Sequence, residues 1–119
     1  MRLKKGNAIT LKILTKDDDG NLITNLADAT AISFMLKRNN TDSNASAMVN
    51  KDLDDGITVD DPSSGYIRIA LTSVDTGIDI GTYKMGLQIT YSATNIQEIN
   101  IIEGNKTIDR LQIVQDVIR

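Results

Sequence analysis

The chain has 119 residues, of which 40% are hydrophobic but only 3% aromatic, and it carries a net charge of -3. This length fits one folded unit, and we predict a single domain over residues 1–119. The chain contains no cysteine and no histidine, which excludes disulfide frameworks, thiolate metal sites and histidine-based catalysis. The acidic charge disfavours nucleic acid and anionic membranes, so we expect neither as a partner.

Apolar and polar residues alternate along most of the chain, which predicts strands. The first strand covers residues 7–15 and ends in the Asp-rich turn 17–21. A short corner precedes a second strand over 30–37, and a polar, Asn-rich loop follows. A third strand over 47–51 leads to the sequence Asp54-Asp55-Gly56, which predicts a hairpin turn into a further strand at Ile57 and Val59.

The second half of the chain continues the same pattern. A loop with the chain's single proline precedes a strand over 66–71, and further strands are predicted over 83–91, 96–102 and 107–118. About eight strands, separated by turn signals every 8–12 residues, predict an all-β fold, an immunoglobulin-like antiparallel β-sandwich.

The strand that follows residue 81 carries the clearest signal. Every second residue from Tyr83 to Tyr91 is apolar or aromatic, which predicts one buried and one wet face. Its start is typical of a tyrosine corner, in which a hydroxyl bonds to upstream backbone. We therefore predict Tyr83 and Gly81 as structural corner residues. The predicted core consists of Ile32, Phe34, Ile67, Ile69, Tyr83, Met85, Leu87, Ile89 and Ile113.

Two acidic clusters are candidates for chemical sites. The cluster at 17–21 lacks the ligand spacing of a Ca²⁺ loop, so a conformational turn is favoured over an ion site. The carboxylates between residues 52 and 61 could in principle serve glycoside hydrolysis, but the chain has few aromatic residues to hold a sugar. We therefore predict no catalytic residues, no metal ligands, no cofactor and no enzymatic activity.

Several segments resemble the N-terminal domain of phage baseplate upper proteins, which are tail components of phages that infect Gram-positive bacteria. These segments are the turn DDDGN, the stretch LADATAISFMLKR, the stretch DGITVDDPSSGYIRIALTSVDTGIDIGTYKMGLQITYS and the ending IVQDVIR. Ala27-Asp28 stand where the family usually has Thr-Gly. The resemblance covers nearly the whole chain and implies an immunoglobulin-like domain that docks onto a tail-tip core, without an active site.

The leading hypothesis is a non-enzymatic virion structural protein, an attachment or assembly module of the tail baseplate. It would be assembled in the cytoplasm of the host bacterium and would reside in the virion tail. Its expected partners are other phage tail or baseplate proteins, or further copies of itself. The alternative is a module that binds the host cell surface or carbohydrate. The candidate partner contacts are Val117 and Ile118 in the terminal strand, Asn40 in the polar loop, and Tyr66.

Overall fold

The alternating pattern produces strands throughout the chain. A computed structural model describes residues 1–39, 41–103 and 106–115. Within these ranges there are eleven strands and two single turns of 3-10 helix, Leu26–Asp28 and Asn44–Ser46. The strands are β1 (Arg2–Lys4), β2 (Ile9–Lys16), β3 (Ala31–Lys37), β4 (Val49–Leu53), β5 (Gly56–Thr58), β6 (Tyr66–Leu71), β7 (Gly81–Ser92), β8 (Asn95–Glu98), β9 (Asn100–Glu103), β10 (Lys106–Ile108) and β11 (Arg110–Val114).

The strands form one curled sheet. Its order is β1-β11-β7-β3-β4-β5-β6-β2-β9-β10, and β8 pairs with β7 outside this path. Neighbouring strands are antiparallel except for the pairs β1–β11 and β4–β5. The predicted all-β class is confirmed, whereas the two-layer sandwich stays a prediction. The predicted number of about eight strands is too low, because two long strands are each divided and β1 was not foreseen.

The centre of the sheet is β7. This strand of 12 residues pairs with β3 along one side, and with β11 and then β8 along the other. Its alternation turns Tyr83, Met85, Leu87 and Ile89 into the interior. All nine predicted core residues are buried, and they belong to one hydrophobic cluster around the fully buried ring of Phe34.

The last hairpin of the chain changes partners halfway along both arms. β8 pairs with β7, but after the single residue Ile99 the chain continues as β9, which pairs with β2. On the other arm, β10 pairs with β9, and β11 returns to β7. This hairpin therefore links two distant parts of the sheet and curls it. The predicted undivided strands over 96–102 and 107–118 are wrong for this reason.

The predicted hairpin at Asp54-Asp55-Gly56 is also wrong. The short ladder between β4 and β5 is parallel, with Asp52 opposite Gly56. Asp54 has a φ of 64° and Gly56 a φ of 100°. Two residues in this left-handed region turn the chain through a tight loop, so that it continues in its original direction. A lysine side chain, that of Lys51, packs so close to Gly56 that a Cβ there would lie 2.7 Å from it.

The loop between β6 and β7 is fastened to the sheet by Asp75. Thr72 donates its backbone N–H to the Asp75 carboxylate at 2.7 Å, and Asp75 donates its own N–H to the Thr72 hydroxyl at 3.2 Å. Lys51 of β4 reaches the same carboxylate at 2.8 Å. The Thr76 hydroxyl donates to the carbonyl of Asn7 at 2.8 Å. The loop is thus connected to β4 and to the segment before β2.

Acid should weaken the hydrogen bonds and the ion pair that the Asp75 carboxylate makes with Thr72 and Lys51. Burial by itself raises the pKa of Asp75, but the hydrogen bonds from Lys51 and Thr72, together with the Lys51 charge, hold the pKa below its ordinary value. A depressed pKa in the folded state stabilises the fold above the unfolded pKa, about 3.9, and this stabilisation disappears as pH falls through the folded pKa. We expect Asp75→Asn to be less stable than the wild type at pH 7, and the difference to shrink below about pH 4.

Urea unfolding between pH 7 and pH 2 measures this difference. Asp60→Asn is the matched control, because Asp60 also pairs with a cation, Arg68, at 2.6 Å but is 59% exposed. Exposed ion pairs contribute little, so the control should follow the wild type at every pH. A constant difference between Asp75→Asn and the wild type across the pH range would contradict the assignment.

Candidate functional site

Tyr83 and Gly81 define the start of β7. The Tyr83 side chain is 2% exposed, and its hydroxyl donates to the carbonyl of Asp79, four residues upstream, at 2.6 Å. Arg38 lies 5.8 Å from the centre of the Tyr83 ring and also pairs with the Asp79 carboxylate at 3.2 Å. Gly81 is opposite Ile113 of β11. This is the geometry of a tyrosine corner, and it has a structural role.

The corner hydrogen bond can be tested by removing the hydroxyl. Tyr83→Phe is expected to lower the free energy of unfolding by about 1 kcal/mol, because the Asp79 carbonyl loses its partner. Tyr66→Phe should have almost no effect, since Tyr66 is 39% exposed. Guanidinium unfolding of both variants measures the difference. Equal losses at the two positions would show that the corner hydrogen bond does not stabilise the fold.

The predicted partner contacts are spread over different parts of the chain. Tyr66 lies on the outward face of β6 beneath Lys12, whose ammonium group is 4.5 Å from the ring centre. Its neighbour across the sheet is Leu14 of β2, which in turn lies opposite Ile102 of β9. The three other predicted contacts lie outside the described residues; they are Asn40, Val117 and Ile118.

The acidic turn after β2 is held by hydrogen bonds between the Asp17 side chain and the backbone of the turn. The Asp17 carboxylate accepts the N–H groups of Asp19 at 3.0 Å and Asn21 at 2.9 Å. Such a turn needs an aspartate for conformational reasons alone. Over residues 1–39, 41–103 and 106–115, no group of three or more acidic side chains is arranged to hold a metal ion.

Within the described residues, β8 is an open strand edge, as are β1 and β10 at the two ends of the sheet order. The terminal strand predicted over 107–118 is thus an edge only in its β10 part, because β11 lies between β7 and β1. β8 pairs with β7 and with no other strand of the described residues. All four of its side chains are exposed, and Ile96 is 51% exposed. β8 therefore presents free main-chain groups and an apolar side chain at the surface.

A groove lies where the last hairpin leaves the outward face of β3 and β7. Its volume is about 440 Å³, and a second depression of about 300 Å³ adjoins it. Gly86 lies on the outward face of β7, and a Cβ at this position would meet no atom within 4 Å. Asp18, Asn100 and Thr107 line both depressions. We call the two together the hairpin groove.

The hairpin groove is lined by apolar as well as polar groups, and its charges are nearly balanced. Lys37 donates to Asn44 at 2.7 Å, Lys84 lies 4.0 Å from Asp109, and Asn100 donates to Asp18 at 3.4 Å. Other polar groups in the groove remain available. Three exposed side chains have no hydrogen bond to another described residue; they are Gln88, Glu98 and Thr107.

Comparisons with known proteins add no relative. The chain matches no family model, no curated protein and no solved structure. The resemblance to baseplate upper proteins therefore stays a prediction from the sequence. No helix in the described part of the chain is long and apolar enough to cross a membrane.

Sequence reasoning missed both the open edge and the hairpin groove. One signal was present, because Gly86 interrupts the polar face of an otherwise regular strand. A glycine within a strand often marks a close approach or a space. The position of the groove nevertheless depends on the partner change at Ile99, which no local pattern encodes.

Proposed function

We propose that this protein is a non-enzymatic attachment or assembly module of a phage tail baseplate. We further propose that the curled sheet is packed as the two layers of an immunoglobulin-like sandwich, which the shared hydrophobic cluster supports. The observation that carries the proposal is the open edge of β8. Exposed strand edges bind extended segments of other proteins through main-chain hydrogen bonds.

The register of β8 identifies the groups that would bind a partner. Ile99 donates its N–H to the carbonyl of Leu87 on β7 at 2.8 Å. In an antiparallel pair the bonding direction alternates between successive residues. Gln97 therefore points its main-chain groups toward β7, whereas Ile96 and Glu98 point theirs toward the open edge. A partner strand would bond to these two residues.

Three of the carboxylates between residues 52 and 61 already have partners. Asp52 accepts the Ser33 hydroxyl at 2.9 Å, Asp60 pairs with Arg68 at 2.6 Å, and Asp61 accepts the N–H and the hydroxyl of Ser63 at 3.1 and 2.9 Å. The sequence also lacks the histidine and cysteine that most acid–base and nucleophilic mechanisms use. These observations support a binding role over an enzymatic one.

The direct test is capture of tail-tip proteins by the immobilised chain. Ile96→Pro removes an N–H from the open edge and leaves the bonds between β7 and β8 in place, so it should weaken capture at least tenfold. Ile96→Thr keeps the N–H and is the matched control, which should retain capture. Failure of the wild type to capture any virion protein would contradict the proposed function. Equal capture by the proline variant would exclude β8 as the contact.

A further inference from the structure

We propose that the open edge of β1 binds an extended, acidic segment of a partner protein. β1 pairs with β11 and with no other strand of the described residues. This contact goes beyond the attachment role of β8, because β1 and β8 are separate edges of the sheet. A module with two such edges can hold a different partner at each of them.

The register of β1 leaves main-chain groups free at its open edge. The carbonyl of Met1 accepts an N–H from β11 at 2.8 Å, and Lys5 donates its N–H to a carbonyl of β11 at 2.9 Å. Successive residues of a strand point their main-chain groups to opposite sides, so those of Arg2 and Lys4 point away from β11. The Lys4 carbonyl already accepts the N–H of Asn7 at 3.2 Å. The N–H and carbonyl of Arg2 and the N–H of Lys4 therefore remain for a partner strand.

The side chains along this edge are cationic. Arg2 and Lys4 are exposed on the outward face, whereas Leu3 between them is only 6% exposed and belongs to the hydrophobic cluster. Lys5 follows directly and is half-buried. The side chains of these three cationic residues form no hydrogen bond or ion pair with another residue that the structure describes. The edge thus carries positive charge that the fold does not neutralise.

Other surface cations of the chain are neutralised within the fold. Arg38 and Arg68 each have an aspartate carboxylate within 3.2 Å. Glu103 approaches the start of β1, but its carboxylate pairs with the amine of Met1 at 3.5 Å. The charges on β1 are therefore available to a partner, in a protein whose net charge is -3.

The charge of the edge selects an acidic partner. Opposite charges on adjacent strands stabilise their pairing, and like charges directly opposite each other destabilise it. A second copy of the chain cannot offer its own β1, since cations would then face cations. The two other open edges, β8 and β10, together contain a single carboxylate, that of Glu98. Free main-chain groups in strand register suit another protein backbone, so the partner is an acidic segment of a different protein.

The strand period determines the sequence of that segment. On a strand added to β1, the residues beside Arg2 and Lys4 point outward, and the residue between them points inward next to Leu3. The outward residues should be glutamate or aspartate, because they face the two cations. The inward residue should be apolar, because Leu3 is buried. The expected segment therefore alternates acidic with apolar residues.

The experiment is an NMR titration of the isotope-labelled chain with a hexapeptide of alternating glutamate and valine, blocked at both ends. We expect the backbone N–H signals of Arg2 and Lys4 to shift with a saturable dose dependence. The double variant Arg2→Gln, Lys4→Gln keeps the main chain but loses both charges, and it should bind about tenfold more weakly. The matched control is Lys12→Gln with Lys106→Gln, which removes two exposed cations from β2 and β10 and should bind like the wild type.

Two further arms test the charge directly. The same peptide with glutamine in place of glutamate should bind the unchanged protein about tenfold more weakly, and this arm does not depend on the folding of a variant. The double variant Arg2→Glu, Lys4→Glu should lose the glutamate peptide and bind the peptide that has lysine in those positions. A dispersed spectrum shows that each variant is folded.

Four results would overturn the proposal. The glutamate peptide could cause no shift at millimolar concentration, the shifts could fall outside β1, the glutamine peptide could bind as tightly, or a single-stranded oligonucleotide alone could shift the signals of β1. The last result would assign the edge to nucleic acid. Ile96→Pro should leave the titration unchanged, because it alters β8 alone. Failure of peptide binding at β1 is therefore distinguishable from failure of capture through β8.

Discussion

Replacing Phe34 by alanine is expected to lower the free energy of unfolding by about 3–5 kcal/mol. The ring is fully buried in the central cluster, on a strand that pairs with β7 and β4. Phe34 is also the chain's single phenylalanine, and the surrounding aliphatic residues cannot fill the space that the ring leaves. Since small domains are stable by about 5–15 kcal/mol in total, this one change threatens the fold.

Urea unfolding followed by circular dichroism measures the loss. Phe34→Leu is the graded control, because it retains most of the apolar volume and should cost clearly less than alanine. A loss below about 1 kcal/mol for Phe34→Ala would show that the ring is not in the core.

Gly65→Ala should cost about 2 kcal/mol. Gly65 is buried with a φ of 79°, in the left-handed region that other residues avoid. An added Cβ would lie 3.3 Å from the carbonyl oxygen of Ile23 and 3.5 Å from that of Thr15. The Gly65 carbonyl cannot move freely away, because it accepts the N–H of Thr15 at 2.8 Å and the hydroxyl of the same residue at 2.7 Å.

Two other glycines separate the contributions to this loss. Gly20 has a similar φ of 84° but nothing within 4 Å of an added Cβ, so Gly20→Ala reports the backbone strain alone. Gly86→Ala carries neither strain nor a close contact and should be neutral or slightly stabilising. Thermal unfolding of the three variants should rank Gly65→Ala as the least stable. An equal loss for Gly65→Ala and Gly20→Ala would mean that packing at Gly65 adds nothing.

Much of the fold follows from local pattern. The alternation from Tyr83 to Ile89 predicts the buried face of β7, and the predicted strand 66–71 has the bounds of β6. These predictions succeed because strand period and burial depend on neighbouring residues in the sequence. The predicted core is buried for the same reason.

The features that depend on distant contacts were not predicted. β1 is only three residues long, and it exists as a strand because Leu3 packs beside Ile113 in a parallel pair. Across the partner change, Ile99 and Ile101 alternate with Glu98 and Asn100, as they would in one undivided strand. Local periodicity is the same whichever strand lies alongside, so it cannot reveal either feature. The open edge of β8 and the hairpin groove both follow from the partner change at Ile99.

The pairing of β1 with β11 has a consequence for biosynthesis. Arg2 lies opposite Gln112 and Lys4 opposite Val114, so β1 acquires its ladder only after β11 has been synthesised. Contacts between residues so far apart in the chain make folding slow, because the loop between them must close first. The sheet therefore cannot be completed before β11 has been synthesised. Until then β1 stays without its partner strand and is open to chaperones, or to another copy of the chain.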